Sequence, residues 1–167
     1  KEISCRCILT DGIVIANSQD VTVEDTFFRV NEDCICTKGL GFRDSWAVDN
    51  VKVTRCTIWA DRGSIFRLGW ECKAEAMRNM YFTDIDIIHC IGGGSIFNLQ
   101  PAQNMPMENI RFGNIRINRS VTGQKIPLQK IANLYPVQHK GQWNNPPGPG
   151  NIKNIYFHDI SIPVIKI

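Results

Sequence analysis

The sequence predicts an all-β chain wound as a right-handed, single-stranded parallel β-helix, and three observations carry that prediction. A strand-like pattern recurs five times: DVTVEDTFF at 20–28, NVKVTRCTIW at 50–59, NMYFTDIDII at 79–88, NIRFGNIRI at 109–117 and NIKNIYFHDISI at 151–162. Its leading apolar positions, Val21, Val51, Met80, Ile110 and Ile155, lie 30, 29, 30 and 45 residues apart, and each copy alternates apolar with polar residues. Second strand-like runs lie between them, ICTKG at 35–39, SIFRLG at 64–69 and SIFNLQ at 95–100, each reached through a polar or glycine-rich turn. Helical periodicity is weak. Only Glu71 to Asn79 reads as a short turn of helix, so a βαβ fold would lack its crossover helices.

The elements follow in order. Each coil adds a rung about 4.8 Å along the axis, stacks its inward side chains into a column and covers its neighbour's edge. Asp20, Asn50, Asn79, Asn109 and Asn154 stand just before the repeated strands, as expected of a recurring bend, because these side chains bond their own backbone and tolerate the left-handed region. The spacing of 45 predicts an inserted surface loop over 134–150, where GQWNNPPGPG is rich in proline and glycine and Tyr135 and Trp143 could line a groove. Asp11 falls in the first coil with no evident cap before it. The reading is therefore a partial domain over 1–167 lacking N-terminal coils, with another segment or chain covering that end. At the other end SIPVIKI is expected to cover the last rung, with Pro163 interrupting the ladder.

Composition bounds the function. Nineteen Lys and Arg against sixteen Asp and Glu leave a net charge of +3, and 43% hydrophobic residues describe an ordinary domain of 167 residues. Without a basic cluster there is no electrostatic footprint for nucleic acid. The longest uncharged stretch, 87–107, is broken by three glycines, two prolines and polar residues, so no membrane span is expected. Of seven cysteines, Cys5/Cys7 and Cys34/Cys36 have the spacing that puts both side chains on one face of a strand. Buried free thiols fit best; a zinc site would need wider spacing and more ligands, and an odd count leaves at least one thiol unpaired. Asn118-Arg119-Ser120 matches an N-glycosylation acceptor.

The chemistry is sought among the acids. Asp11 in ILTDGIVI and Glu32 and Asp33 in VNEDCICTKG are 21 and 22 residues apart, about one coil. Stacked coils would bring the three carboxyl groups together outside the sheet. Glycoside hydrolysis needs one protonated carboxyl for the leaving oxygen and one carboxylate for water or carbon, and crowded like charges push pKa values apart in that sense. A polar turn or a cation site built from two or three oxygens would use the same residues.

TDG followed at this distance by NEDC resembles the NTDG and QDDC motifs of polygalacturonase-like glycoside hydrolases. The stretch TIWADRGSIFRLGWECKAEAMRNMYFTDIDIIHC at 57–90 is similar to the related dextranase and isopullulanase family, in which a tryptophan strand leads to a glycine turn, a Gly-Trp pair and a strand ending in Ile-His. The resemblance covers about residues 9–90 and implies the pectin-lyase-like parallel β-helix solenoid. It also implies an inverting hydrolase with no cofactor and no metal, in which Glu32 is the general acid and Asp11 with Asp33 activates the water. Its substrate would be a polysaccharide or oligosaccharide, met in a secreted or periplasmic setting.

This chain departs from the family pattern in carrying Glu32 where an Asp is usual. Asp61, Arg62 and Gly63 stand where polygalacturonases have a Gly-His-Gly turn, and no Arg-x-Lys clamp follows Cys90. A neutral glucan is therefore expected rather than galacturonan. Trp70, and Trp59 equally placed to be core, offer apolar faces to sugar rings. Arg67 and Glu71 could bond hydroxyls or each other, Arg62 could hold Glu32 or Asp33 ionised, and His89 reads as a core residue, a substrate contact or a spare proton carrier. The competing function is a non-catalytic carbohydrate-binding or structural segment.

Overall fold

A computed structural model describes residues 10–39, 46–70, 72–90, 94–102, 104–118, 131–136 and 148–162. Eleven strands are found among them, and no helix. They are β1 (Ile13–Ala16), β2 (Gln19–Glu24), β3 (Phe27–Val30), β4 (Ile35–Lys38), β5 (Val48–Ala60), β6 (Phe66–Leu68), β7 (Met77–Cys90), β8 (Phe97–Leu99), β9 (Pro106–Ile117), β10 (Ala132–Leu134) and β11 (Asn151–Ser161). The chain alternates between two parallel sheets, a five-stranded one in the order β1-β4-β6-β8-β10 and a six-stranded one in the order β11-β9-β7-β5-β2, with β3 also on β5. No helix among the described residues is long and apolar enough to cross a membrane.

The repeat read from sequence is the register of the long strands: Val21 pairs with Val51, Val51 with Met80, Met80 with Ile110, and Ile110 with Ile155. The shorter runs form the other sheet, with Ile13, Ile35, Phe66, Phe97 and Ala132 in one row. Between the sheets lies a continuous apolar interior in which Phe66 stacks on Phe97, Phe82 on Phe112 and Phe112 on Phe157, the two rows meeting edge to face.

The expected bend residues all take left-handed backbone, with φ of 56° at Asp20, 53° at Asn50, 56° at Asn79, 57° at Asn109 and 52° at Asn154. From Asn50 onward they lie inside the long strands rather than before them, so each such strand turns a corner at that residue and resumes pairing in the same register beyond it. Their side chains link rungs: Asn50 Nδ2 donates to Asp20 Oδ1 at 2.6 Å, Asn109 to Asn79 at 3.3 Å and Asn154 to Asn109 at 3.1 Å, while Asn79 reaches Asp49 at 2.8 Å. A second left-handed column, five residues further on, comprises Asp25, Arg55, Asp84, Asn114 and Asp159.

Alanine at Asn109 would meet both the left-handed penalty of about 1–2 kcal/mol and the loss of its two exposed bonds, to Asn79 and from Asn154, worth about 1 kcal/mol together. Asn109→Ala should therefore cost about 2 kcal/mol in urea unfolding, and Asn109→Gly clearly less. Equal losses would show that the backbone conformation contributes nothing.

Three expectations are corrected. The short helix at 71–79 is absent: residues 72–76 are not helical, and Met77 to Asn79 open β7, because so short a segment cannot nucleate alone and Met77 is needed in register with Val48 and Met107. The expected loop does not begin at Leu134, which closes β10 just before it; Ala132 pairs with Phe97, 35 residues back, where Phe97 pairs with Phe66, 31 back. Leu134 thus ends a strand, Tyr135 is exposed, and residues 137–147 with Trp143 lie outside the described residues. Cys34 and Cys36 do not share a face. Cys34 precedes β4 in a bend and joins the apolar interior, whereas Cys36, also fully buried, lies beside Asp11 and Asp33. Cys34, Cys36, Cys56 and Cys72 are free thiols; Cys5, Cys7, residues 1–9, Arg119, Ser120 and Pro163 lie outside the described residues.

Candidate active site at the start of the five-stranded sheet

The row joining Ile13, Ile35, Phe66 and Phe97 fixes what precedes it. Two residues earlier it aligns Asp11, Asp33, Ser64 and Ser95, bound through backbone contacts such as Gly12 N to Asp33 O at 2.9 Å and Cys34 N to Ser64 O at 2.9 Å. Asp11 and Asp33 are thus equivalent residues on adjacent rungs. Their carboxyl oxygens and the Cys36 sulfur lie within 4.8 Å of one another. Glu32 belongs to the same corner, close enough for both aspartates to act on its ionisation.

Close backbone approach holds this corner. Gly63 has φ of 71°, and a Cβ there would come within 2.4 Å of the Glu32 carbonyl carbon and 2.6 Å of Asp33 N. Glycine lets the rung bearing Glu32 and Asp33 rest directly on the next. Asp33 is the most constrained acid, 7% exposed, with Oδ1 accepting from Ser64 N–H at 2.6 Å and Oδ2 lying 3.3 Å from Arg67 Nε. Asp11 lies 3.7 Å from Lys38 Nζ. Arg67 in turn covers Trp70, its guanidinium carbon 4.7 Å from the ring centre.

These contacts occupy a slot that other rungs fill differently. Asn98 Nδ2 donates to Ser64 Oγ at 3.2 Å and Asn133 Nδ2 to Ser95 Oγ at 2.8 Å, in the positions that Arg67 and Asp33 take one rung earlier. A neutral amide and hydroxyl suffice to join two rungs. Charge is concentrated where Asp11, Asp33, Lys38 and Arg67 meet.

Electrostatics separates the acids by cause. Burial raises the Glu32 pKa above its ordinary value, helped by the charges of Asp33 and Asp11 and opposed by Arg62 and Arg67. Burial also raises Asp33, against the pull of Arg67 and of the Ser64 N–H. A carboxyl whose folded pKa lies above its unfolded value contributes full stability below the unfolded pKa, and loses it as pH rises through the folded one. Asp33→Asn should therefore match wild type in acid and exceed it in stability at neutral pH, the gap opening just above the ordinary value of 3.8. Urea midpoints from about pH 3 to 7 check this. A variant less stable at pH 7 would mean that the Arg67 pair outweighs burial.

Asp11, Asp33 and Cys36 could offer three ligand atoms to a cation. A thiol would have to lose its proton first, and burial followed by the Asp11 and Asp33 charges pushes the Cys36 pKa up. Lys38 and Arg67 already bring positive charge to the two carboxylates. The arrangement suits proton transfer and water activation better than metal binding.

Of the expected substrate contacts, Arg67 and Trp70 join the carboxyl corner, and Arg62 is exposed beside Glu32, acting on it through charge. Glu71 lies outside the described residues. His89 does not join. It is 5% exposed on β7 in the other sheet, stacked on Trp59 at 4.2 Å with Nε2 3.3 Å from Asp61 Oδ1. A register shift between Ile58 and Trp59 sets His89 opposite the indole and leaves it buried. Trp59 lies between His89 and Arg29, 5.1 Å away, and its Nε1 donates to Asp61 at 2.8 Å, so it offers no open face to a sugar.

Sequence reading missed Lys38 and Ser64. The signal for Lys38 was its place in ICTKG, two residues after Cys36 on the same face of β4. Ser64 acts through its backbone, which leaves no mark in residue type.

No protein-family model, no curated protein and no solved structure matches this chain. The functional reading accordingly rests on the corner's own chemistry.

Proposed function

We propose that the chain is a segment of a right-handed parallel β-helix that hydrolyses glycosidic bonds of a polysaccharide. The alternation of short and long parallel strands between two sheets, each pairing with its equivalent one coil away, supports the solenoid reading. The observation that carries the function is the carboxyl corner: two aspartates within 4.8 Å on adjacent rungs, beside a glutamate whose proton is held more tightly than usual. In this reading Glu32 delivers its proton to the leaving oxygen. Asp11 and Asp33, steadied by Lys38 and Arg67, hold the attacking water and accept its proton, giving inversion at the anomeric carbon. The site's action ends in acid when Asp33 protonates, and at higher pH when Glu32 ionises.

The substrate is a neutral glucan rather than a uronan, since the cations of the corner are engaged by its own acids. A secreted or periplasmic setting follows from such a substrate. The rival reading is a non-catalytic carbohydrate-binding or structural segment, favoured by the way Arg67 and Asp33 occupy a slot that elsewhere only joins rungs. The protein should be incubated with dextran, pullulan, soluble starch and polygalacturonate across pH 4 to 7 while reducing ends are measured, with proton NMR of the first anomer released. New reducing ends of inverted configuration from a neutral glucan support hydrolysis. Their absence from every substrate supports the rival.

A further inference from the structure

At the far end of β1 from Asp11, three successive coils build an open pocket of about 650 Å³ lined by Asn17, Ser18, Gln19, Trp46 and Glu75. The indole of Trp46 is 60% exposed, the most exposed large apolar side chain among the described residues. Its support is rigid: Ala47 and Val48 behind it are buried, and Val48 N donates to Ala76 O at 2.9 Å. The opposite wall is fixed by Asn17 N to Lys38 O at 3.1 Å, Asp49 N to Ser18 O at 3.3 Å and Ser18 Oγ to Ala16 O at 2.7 Å. An exposed indole on a fixed backbone, surrounded by side-chain amides and one carboxylate, pairs an apolar plate with hydrogen-bonding groups at its rim.

We propose that the Trp46 pocket is a second carbohydrate-binding site, taking one or two uncharged pyranose rings with their C–H face on the indole and their hydroxyls on Gln19 and Glu75. This rests on the carbohydrate reading of the carboxyl corner and extends it to a separate place on the surface. Among the described residues, Glu75 is the only formally charged one in the lining, so a uronate, sulfate or phosphate would meet its repulsion. The volume falls within the range of about 300–1,000 Å³ usual for small-ligand sites. Six residues of extended chain between Asp11 and Asn17 span about 20 Å, so one glycan touching both places must be several rings long. The consequence is a preference for long chains over short ones.

The test uses the Glu32→Gln protein, to separate binding from turnover, titrated calorimetrically with isomaltohexaose, maltohexaose, cellohexaose and hexagalacturonate. At least one neutral hexaose should bind, with affinity falling tenfold or more in the added Trp46→Ala variant and threefold or less in Trp46→Phe. An unchanged thermal midpoint in both is the expected sign that the exposed indole has no structural duty. Equal affinity in Trp46→Ala, preference for hexagalacturonate, or no binding by any neutral hexaose at about 10 mM would overturn the proposal. Failure of hydrolysis is read separately: reducing-end release by protein with Glu32 intact tests the carboxyl corner, whatever Trp46 does.

Discussion

Glu32→Gln should reduce turnover of a natural glucan by about 10²–10⁴-fold while leaving oligosaccharide affinity within about twofold. The amide keeps the size of the side chain and loses only the proton that leaves with the sugar oxygen. The deficit should therefore depend on the leaving group. A dinitrophenyl glycoside departs without protonation, so its hydrolysis should be much less impaired by Glu32→Gln. Asp11→Asn should impair water activation, and no leaving group should relieve that. Measuring kcat/KM for both variants on both substrate types gives a four-way comparison. If Glu32→Gln turns over the natural glucan at the wild-type rate, Glu32 is not the acid. If both variants are rescued alike, the roles assigned to the two carboxyls are wrong.

The acid's environment gives this prediction a pH signature. Glu32 is raised by burial and by two neighbouring carboxylates, so it keeps its proton above the ordinary glutamate range, and the wild-type rate should fall as pH rises through that raised value. In Glu32→Gln this alkaline limb should disappear while the acid limb, set by Asp33, remains. Arg62 and Arg67 both pull the Glu32 value down. Removing the exposed Arg62 charge should accordingly move the alkaline limb upward.

What the sequence made legible was periodic. Val21, Val51, Met80, Ile110 and Ile155 stood out because burial repeats at each coil, and the structure pairs each with the next. The asparagine column was legible for the same reason, since few residues tolerate φ near 55°. Its companion five residues later was hidden by Arg55, which holds φ of 53° in that column and looks like an ordinary surface cation. β10 was hidden because ANL is three residues long and follows an interruption of the repeat. Asp11 and Asp33 could be brought together from a spacing of 22 residues, because Ile13 and Ile35, equally far apart, pair in neighbouring parallel strands. His89 could not be positioned that way. A single-residue shift between β5 and β7 sets it against Trp59, and such a shift leaves no mark in composition. The pairing of Arg67 with Asp33 was equally hidden, because it depends on which face of β6 looks back at the preceding rung.

Phe112→Ala should be the most damaging single change to stability, at about 3–5 kcal/mol. Phe112 is fully buried, stacked 4.9 Å from Phe82 and 5.1 Å from Phe157, and meets Phe66 at 5.2 Å and Phe97 at 4.8 Å edge to face. Removing it opens a void between the two sheets at a point where three rungs converge. Each of these parallel strands pairs with its neighbours in the sheet, so the loss weakens the junction of the later strands with the earlier ones. The proper control is Phe157→Ala, which lies in the same stack but is 40% exposed, so its loss creates less void and should cost well under half as much. Urea unfolding of both variants measures the difference. The carboxyl corner lies toward the opposite end of the stack, so Phe112→Ala that remains folded in low denaturant should retain most of its activity per folded molecule. A protein in which Phe112→Ala and Phe157→Ala cost the same would lack the continuous aromatic interior that joins the two sheets.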